Sequence, residues 1–250
     1  MKKQLIQKAT KDKPYLLINH KYIQIYTDGG KVYQQEQIVD VIAGKFIQRI
    51  TEIPNADPYS LKRMKCGTLK DKNNVFATRL TKNSPPETIK TEFGVINNPN
   101  AIYEYYAIPG IDGKSFKAIK EEYDTIYYQD KNAIFYGFEK MENADRESFE
   151  YLDFCYARDK NFVFCKDNVI EIDTHNFKLN NNGFIYDEKN IFHYEHQVFL
   201  DAKTFEVLGA VKGTYDGVSA EGFIFNGTFI VKDKNGEYLY DSKTNHLTNK

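Results

Sequence analysis

The fold is decided by the stretch Tyr156-Ala157-Arg158-Asp159-Lys160-Asn161-Phe162-Val163-Phe164, because its pattern recurs along the chain. The stretch Tyr127-Tyr128-Gln129-Asp130-Lys131-Asn132-Ala133-Ile134-Phe135 repeats it 29 residues earlier. In both stretches a polar triplet that favours a turn precedes an alternating apolar run, which predicts a turn leading into a β-strand. Weaker copies of the triplet begin at Asp28, Asp71, Asn98, Glu188 and Asp233.

A second motif, Asp-x-x-(Ser/Thr/Asn)-Phe, runs in step with the first. Its starting positions are separated by 28, 27, 33, 28 and 28 residues. Two motifs that keep one period indicate a tandem repeat of about 28 residues. The clear copies begin at Asp112, Asp145, Asp173 and Asp201, and degenerate copies begin at Asp57 and Pro85.

The residues between the motifs predict the content of one unit. The triplet forms a turn, short apolar runs form a hairpin and a return strand, and the Asp of the second motif caps a short helical or 3₁₀ turn. We therefore expect at least five superimposable β units between residues 57 and 205. They have structural turn residues at Asp71, Asp130, Asp159 and Glu188, and buried side chains at Leu61, Ile89, Phe116, Phe149, Phe177 and Phe205.

The predicted fold class is all-β with minor helical turns. A hairpin plus one strand is too small to be stable alone, so the units must stack on their neighbours. A solenoid-like array is the expected arrangement, and a closed β-propeller is the alternative. Residues 1–56 and 206–250 depart from the repeat and are expected to cap residues 57–205. The surplus residues Lys117–Tyr123 are rich in helix formers and predict a helical excursion.

Composition agrees with a β fold and carries an uneven charge. The chain contains 19 Tyr and 18 Phe, residue types that favour strands, but no Trp. Residues 1–90 carry 17 Lys and Arg against 8 Asp and Glu, a net charge of +9. Residues 91–250 carry 17 against 27, a net charge of −10. Because the acidic remainder opposes phosphate binding, nucleic acid is not an expected partner.

The cysteines and apolar runs bear on location. Three cysteines are too few for a disulfide framework, although one bridge between Cys155 and Cys165 stays open. No apolar run is long enough to cross a bilayer, so membrane association is not expected. The first residues lack the apolar stretch of a signal peptide. These features favour a cytoplasmic protein, or a periplasmic one if a native leader has been removed.

No motif points to a catalytic, cofactor or metal site. The sequence has no Gly-x-Ser-x-Gly elbow, phosphate-binding loop or dinucleotide fingerprint. The recurring aspartates fit turn capping, because catalysis needs one site and not one in every unit. His193 and His196 stand three apart on a predicted strand, where they point to opposite faces and do not converge on a metal. Both are expected to be ordinary surface histidines. We therefore expect no catalytic residues, no metal and no cofactor.

These motifs resemble the bacterial DKNYY repeat family, which is named after its Asp-Lys-Asn-Tyr-Tyr motif. The resemblance is greatest over Asp130–Phe205, where an Asp-x-x-(Ser/Thr)-Phe element follows about half a unit after each triplet. The family implies no chemistry. Its members look like accessory proteins, some of them neighbours of secreted antibacterial toxins, which by analogy implies an immunity protein. The alternative function is an exported structural or adhesive surface repeat protein.

An immunity protein would neutralise a basic toxin or effector by covering it. Residues 139–153 are denser in carboxylates than any other window, and such a patch speeds the association of a basic partner. The other interpretation of this window is a solvated edge that discourages stray sheet pairing. Aromatic residues dominate binding energy at interfaces. We therefore expect steering by Glu139, Glu142, Glu147 and Glu150, and anchoring by Tyr123, Tyr127 or Tyr128.

Overall fold

A computed structural model of the protein describes residues 2–19, 23–40, 44–91, 94–98, 101–120, 127–211 and 227–250. These residues fall into two compact units, one that ends at Lys117 and one that begins at Ala118. Regular structure in the described residues is nearly all β, apart from the helix α1 (Lys2–Gln7) and the 3₁₀ turn η1 (Ala202–Thr204).

The first unit contains two four-stranded antiparallel sheets. The first sheet pairs its strands in chain order: β1 (Tyr15–Asn19), β2 (Ile23–Thr27), β3 (Val32–Asp40) and β4 (Lys45–Glu52). The next strands are β5 (Lys62–Arg63), β6 (Leu69–Lys70), β7 (Val75–Leu80), β8 (Thr88–Thr91), β9 (Gly94–Asn97) and β10 (Tyr103–Ala107). Four of them form a sheet of order β10-β7-β6-β5, while β8 and β9 pair as a separate hairpin.

From Lys117 onward, four four-stranded antiparallel sheets follow one another, each in chain order. Two of them contain β11 (Lys117–Ala118), β12 (Tyr127–Gln129), β13 (Ile134–Tyr136) and β14 (Glu139–Lys140), then β15 (Glu150–Tyr151), β16 (Tyr156–Arg158), β17 (Val163–Cys165) and β18 (Asn168–Ile170). The other two contain β19 (Lys178–Leu179), β20 (Phe184–Tyr186), β21 (Ile191–His193) and β22 (His196–Gln197), then β23 (Glu206–Ala210), β24 (Thr228–Asp233), β25 (Gly236–Asp241) and β26 (His246–Asn249).

The predicted all-β class with β units in tandem is confirmed. Each of these later sheets begins directly after the aromatic residue of the second motif, as β15 does after Phe149 and β19 after Phe177. A unit holds four strands and not the expected three. The extra strand is only two residues long in three of the four later sheets, too short for a periodic pattern to reveal.

One buried carboxylate organises the central hairpin of a unit. Asp159 lies in the turn between β16 and β17, and its Oδ1 accepts the backbone N–H groups of Asn161 at 2.7 Å and Phe162 at 2.8 Å. Its Oδ2 accepts the backbone N–H of Asp145, the lead aspartate of the second motif, at 2.7 Å. A single buried side chain thereby satisfies three amides that lie outside the sheet ladder.

The second motif also bonds back to the turn triplet. The hydroxyl oxygen of Ser148 accepts the backbone N–H of Lys160 at 3.1 Å, and the Lys160 ammonium lies 2.7 Å from the Asp145 carboxylate. This reciprocal set of bonds is termed the clasp. The triplet and the Asp-x-x-Ser motif are therefore two halves of one structure, which explains why they keep the same period.

Two other sheets hold the same clasp. In each, the turn aspartate accepts the amide of the lead aspartate at 2.8 or 2.9 Å, and the triplet lysine pairs with that lead aspartate. A hydroxyl again accepts the lysine amide. The residues are Asp71, Asp57, Ser60 and Lys72 in one sheet and Asp233, Asp201, Thr204 and Lys234 in the other.

The prediction of Glu188 as a turn residue is wrong by one position. Asp187 holds this turn, since its Oδ1 accepts the amides of Lys189 and Asn190, both at 2.7 Å, and its Oδ2 accepts the amide of Asp173 at 2.8 Å. Glu188 is exposed. The sequence fits the triplet in two registers, and the shorter aspartate side chain is the one that hydrogen-bonds the amides two and three residues on.

The copy led by Pro85 does not form a sheet of its own. It supplies only the β8–β9 hairpin, so the described residues between 57 and 205 hold four four-stranded sheets and not five. Pro85 has no N–H to donate to a turn carboxylate. The turn position is Asn98, whose side-chain nitrogen donates to the carbonyl oxygen of Pro86 at 2.8 Å. The amide that a lead aspartate donates to the turn residue in the clasp is therefore missing at Pro85.

The predicted core positions differ in burial. Leu61, Phe116 and Phe205 are buried, whereas Phe149 and Phe177 are partly buried against the clusters between sheets. The side chain of Ile89 lies outside the described residues. The predicted helical excursion falls partly on residues 121–126, which also lie outside the described residues. Lys117 and Ala118 form a strand.

Buried tyrosines join successive sheets of the second unit. Tyr127 on β12 is 1% exposed, and its hydroxyl donates to the carbonyl oxygens of Cys155 at 2.6 Å and Lys166 at 2.7 Å in the next sheet. Burial raises the pKa of the Tyr127 phenol well above its usual value, so the group stays a donor. The ring also packs on Phe149 and Tyr151.

The same bond recurs one unit later. The hydroxyl of Tyr156 on β16 donates to the carbonyl oxygens of Gly183 at 2.9 Å and Tyr194 at 3.3 Å. In the following sheet Phe184 occupies this position and packs edge-on against Phe229, without a hydroxyl. The first three of these four sheets therefore bury their second strand against the sheet that follows in the chain.

His193 is a core residue, contrary to the prediction of a surface histidine. It is 1% exposed, its ring centroid lies 4.4 Å from that of Phe184, and its Nε2 lies 3.1 Å from the carbonyl oxygen of Asn182. Burial lowers its pKa to about 3, so the ring is neutral at physiological pH. The prediction assumed that one face of this strand is exposed, but β21 is buried on both faces. His196 is exposed as predicted.

Removing one clasp carboxylate should cost far more stability than removing an exposed carboxylate of the same sheet. We expect Asp159→Ala to lower the free energy of unfolding by about 3–5 kcal/mol, because three amides lose their acceptor. Asp167→Ala, at an exposed turn, should cost less than about 0.5 kcal/mol. Urea titrations measure both values, and equal costs would contradict the clasp.

Buried His193 should make stability depend on pH. Its folded-state pKa of about 3 lies below that of the unfolded chain, so the unfolded state binds the proton more tightly. Stability is therefore lost as pH falls from about 6.5 towards 3. Between about pH 7 and pH 4.5, His193→Gln should remove about 2–3 kcal/mol of this loss.

The control is His196→Gln, since His196 is exposed on the neighbouring strand. It should follow the wild-type pH dependence of unfolding in urea. Parallel curves for wild type and His193→Gln would show that His193 is not held neutral in the core.

Candidate protein-binding surface

One unit departs from the clasp at two positions. In the sheet β19–β22, Glu188 stands where the other clasps have lysine, and Asn176 stands where they have a hydroxyl. Asp187 and Asp173 keep their backbone bonds, so the turn itself is preserved. The substitutions therefore change the charge of this unit without changing its frame.

Losing the clasp lysine leaves carboxylates without a counter-ion. Within the described residues, no ion pair forms at Glu171, Asp173 or Glu188. In the clasps of the neighbouring units the lead aspartate pairs with lysine at 2.7 Å. This unit therefore presents unbalanced negative charge where its neighbours present neutral pairs.

The pKa of each lead aspartate reflects this difference. A hydrogen bond from Lys160, followed by one from Ser148, lowers the pKa of Asp145 to about 2. The pKa of Asp173 is also lowered, but by the backbone N–H groups of His175 and Asn176. Backbone N–H groups are the main reason that the pKa of Asp173 is lowered, with smaller contributions from the charge of His175 and the side chain of Asn176, and no lysine among the described residues pairs with this carboxylate.

These carboxylates line an open groove of about 670 Å³. Phe162 and Val169, which are 40% and 43% exposed, supply apolar surface beside them. Lys189 is the single cation among the described lining residues, against the four carboxylates Glu171, Asp173, Asp187 and Glu188. The groove thus combines exposed apolar contacts with a net negative charge.

A second groove of about 580 Å³ lies on the other side of the same turn. It shares Asp187 and Glu188 with the first, but its lining also includes Lys178 and Lys203. Its charges are therefore balanced. The two grooves meet at the turn that carries Glu188, the residue that replaces the clasp lysine.

The predicted steering carboxylates all lie at the surface. Glu139 and Glu142 are exposed, as are Glu147 and Glu150. Three of them already have a cationic neighbour: Glu142 pairs with Lys140, Glu147 with Arg146, and Glu150 with Arg158. Exposed pairs of this kind are weak and leave a long-range field that is smaller than the carboxylate count implies.

Arg158 connects this acidic segment to the groove. Its guanidinium lies 2.8 Å from Glu150 and donates to the carbonyl oxygen of Thr174 at 3.0 Å, next to Asp173. The same guanidinium stacks over the ring of Phe177. Arg158 thereby links Glu150 to the segment that carries Asp173, a residue of the groove lining, and the steering role of Glu150 stays a prediction.

The predicted aromatic anchors do not lie at this surface. Tyr127 is in the core and Tyr128 is 6% exposed, so neither ring is available to a partner. Tyr123 lies outside the described residues. Neighbouring strand residues point to opposite faces, so one of the two tyrosine rings would be expected at the surface. Both faces of β12 are buried at these two positions. Phe162 and Val169 are the exposed apolar residues that sequence reasoning missed, because they look like ordinary strand residues.

The described residues hold no group of three His, Cys, Asp or Glu side chains arranged to bind a metal ion. None of the helices among them is long and apolar enough to span a membrane. The cysteines Cys66, Cys155 and Cys165 are free thiols.

Comparison with known proteins supports the resemblance drawn from the motifs. The profile of the DKNYY family matches residues 127–249, close to half of the chain, and this range covers β12 to β26, including the groove. The resemblance to DKNYY repeats is therefore confirmed over this region. No curated protein and no solved structure matches the chain.

Restoring the clasp lysine should not harm the fold. We expect Glu188→Lys to keep the stability of the wild type or raise it by up to about 1 kcal/mol, because the new ammonium can pair with Asp173 as in the other clasps. Glu188→Gln is the matched control that removes charge without adding a cation. Thermal unfolding compares them, and a marked loss of stability only in Glu188→Lys would contradict the assignment.

Proposed function

We propose, from the match of residues 127–249 to the DKNYY family and from the groove beside Asp187, that this protein binds a basic protein and catalyses no reaction. The observation that carries the proposal is the unit in which glutamate replaces the clasp lysine. A repeat frame tolerates such an exchange at no cost to its backbone bonds, so the exchange serves the surface and not the fold.

The chemistry of the groove favours a protein partner. It is open, and it places exposed Phe162 and Val169 next to unpaired carboxylates. Interfaces gain affinity from apolar and aromatic residues at their centre, while surrounding charges select the partner. An arginine or lysine side chain with an aliphatic stem satisfies both parts of this groove.

More specifically, the protein acts as an immunity protein in the cytoplasm that covers a basic toxin or effector. The net charge of −10 over residues 91–250 supports this, since a basic partner is drawn to it over several ångströms. In this proposal Glu139, Glu142, Glu147 and Glu150 steer the encounter, and the groove forms the contact. The family resemblance supplies the toxin as the class of partner, by analogy alone.

The direct test pairs this chain with basic proteins encoded beside its gene. Each candidate is expressed in a host with and without this chain, and growth is measured. Rescue of growth by this chain, with formation of a stable complex of the two purified proteins, is the expected result. Binding to cell-wall material and to none of these proteins would favour the exported adhesive function instead.

Association and dissociation rates should distinguish carboxylates that steer the partner from carboxylates that contact it. Reversing Glu139, Glu142, Glu147 and Glu150 to lysine should slow association about tenfold at low salt and flatten its salt dependence. Glu171→Lys with Glu188→Lys should also speed dissociation by at least about tenfold, because these carboxylates contact the partner. Asp167→Lys, an exposed reversal outside the groove lining, is the control and should change both rates by less than about threefold.

The apolar anchor is tested in the same assay. Phe162→Ala should speed dissociation about tenfold or more, with little change in association. Phe199→Ala is the matched control, since Phe199 is 78% exposed and does not line the groove. If both groove reversals and Phe162→Ala leave the dissociation rate unchanged, the partner binds elsewhere.

A further inference from the structure

The three cysteines occupy different surroundings. The Sγ atoms of Cys155 and Cys165 lie 3.0 Å apart, and both side chains are buried in the cluster between β15–β18 and β19–β22. Cys66 belongs to the first unit, is partly exposed, and has its Sγ 3.5 Å from the Thr68 hydroxyl. The second unit therefore holds two thiols in contact, and Cys66 serves as a separate reference.

The strands hold this thiol pair in place. Tyr156 pairs with Cys165 across β16 and β17, and the backbone N–H of Lys166 donates to the carbonyl oxygen of Cys155 at 2.9 Å. The hydroxyl of Tyr127 bonds the same carbonyl at 2.6 Å. The two sulfur atoms thus meet at the open end of the hairpin whose other end is closed by the Asp159 turn. The two sulfur atoms are already in contact, so a short approach brings them to bonding distance.

We propose that hydrogen peroxide converts Cys155 and Cys165 into an intramolecular disulfide and that Cys66 takes no part in it. The Cys155 sulfur attacks one peroxide oxygen, which breaks the O–O bond, leaves a sulfenic acid on Cys155 and releases hydroxide. The Cys165 sulfur then attacks the Cys155 sulfur, which forms the S–S bond and expels the second hydroxide. The two thiol protons convert both hydroxides to water, and the two thiols supply the two electrons that reduce the peroxide.

The two thiols are not equivalent. The hydrogen bond with Cys155, followed by burial, raises the pKa of Cys165, so its thiolate is scarce. Cys155 is 5% exposed and Cys165 is 0% exposed. We therefore assign the attack on peroxide to the Cys155 sulfur. The Cys165 sulfur then attacks the sulfenic acid of Cys155.

The disulfide has a measurable effect on the fold. It closes a ring of 11 residues around the Asp159 turn and restricts the unfolded chain, which should raise the melting temperature by about 5–10 °C.

The disulfide also reports on the cell compartment of the protein. Disulfides persist in oxidising compartments and are rare in the cytosol, so its state in native cells separates a cytoplasmic protein from an exported one.

The experiment uses the folded full-length chain. Purified protein is treated with hydrogen peroxide, its remaining thiols are blocked with iodoacetamide, and tryptic peptides are identified by mass spectrometry. The expected product links the peptide Glu147–Arg158 to the peptide Asn161–Lys166, while Cys66 is not linked to either. Dithiothreitol should reverse both the link and the shift in melting temperature.

Cys66→Ser, which leaves the pair intact, should give the same link and the same shift. Cys165→Ser should lose both, and its Cys155 should accumulate as sulfenic or sulfinic acid. Three results would overturn the proposal: alkylation of both Cys155 and Cys165 after treatment that oxidises Cys66, a disulfide that includes Cys66, or a disulfide between two chains. Because wild type and Cys66→Ser suffice for these outcomes, a failure of Cys165→Ser to fold leaves the test valid.

Discussion

A buried aspartate carboxylate that accepts three backbone amides is the constraint on which each clasped unit depends. Two of these amides belong to the turn of the aspartate, and the third comes from the lead aspartate of the second motif, 14 residues earlier in the Asp159 unit. Each such amide would otherwise lose its bond to water without a replacement. The clasp therefore fixes the turn and the start of the sheet together.

A frame held by backbone bonds leaves its side chains free to vary. The sheet β19–β22 keeps the bonds of Asp187 to Asp173 but exchanges the clasp lysine for Glu188. Negative charge then accumulates beside exposed Phe162, and the groove takes its net negative charge in part from that exchange. Buried phenols of Tyr127 and Tyr156 meanwhile hold successive sheets together, so the proposed binding surface and the contacts between sheets use different residues.

Much of this fold could be predicted from the sequence, since turn triplets, apolar runs and a shared period all depend on residues near one another in the chain. Asp130 and Asp159 were identified in this way. The register at Asp187, the burial of His193 and the burial of Tyr127 could not, because they depend on which sheet lies against which strand. The acidic window lay near the groove because Arg158 joins them, a contact that sequence distance does not reveal.

Amide hydrogen exchange of the native protein tests the clasp most directly. Asp145 lies in a polar turn outside the strands, where an amide bonded only to water would exchange within seconds. The account predicts that the amides of Asp145, Asn161 and Phe162 exchange slowly and at similar rates, because one buried carboxylate accepts all three. Rapid exchange at Asp145, with protection only at the other two, would contradict the claim that the two motifs form one structure.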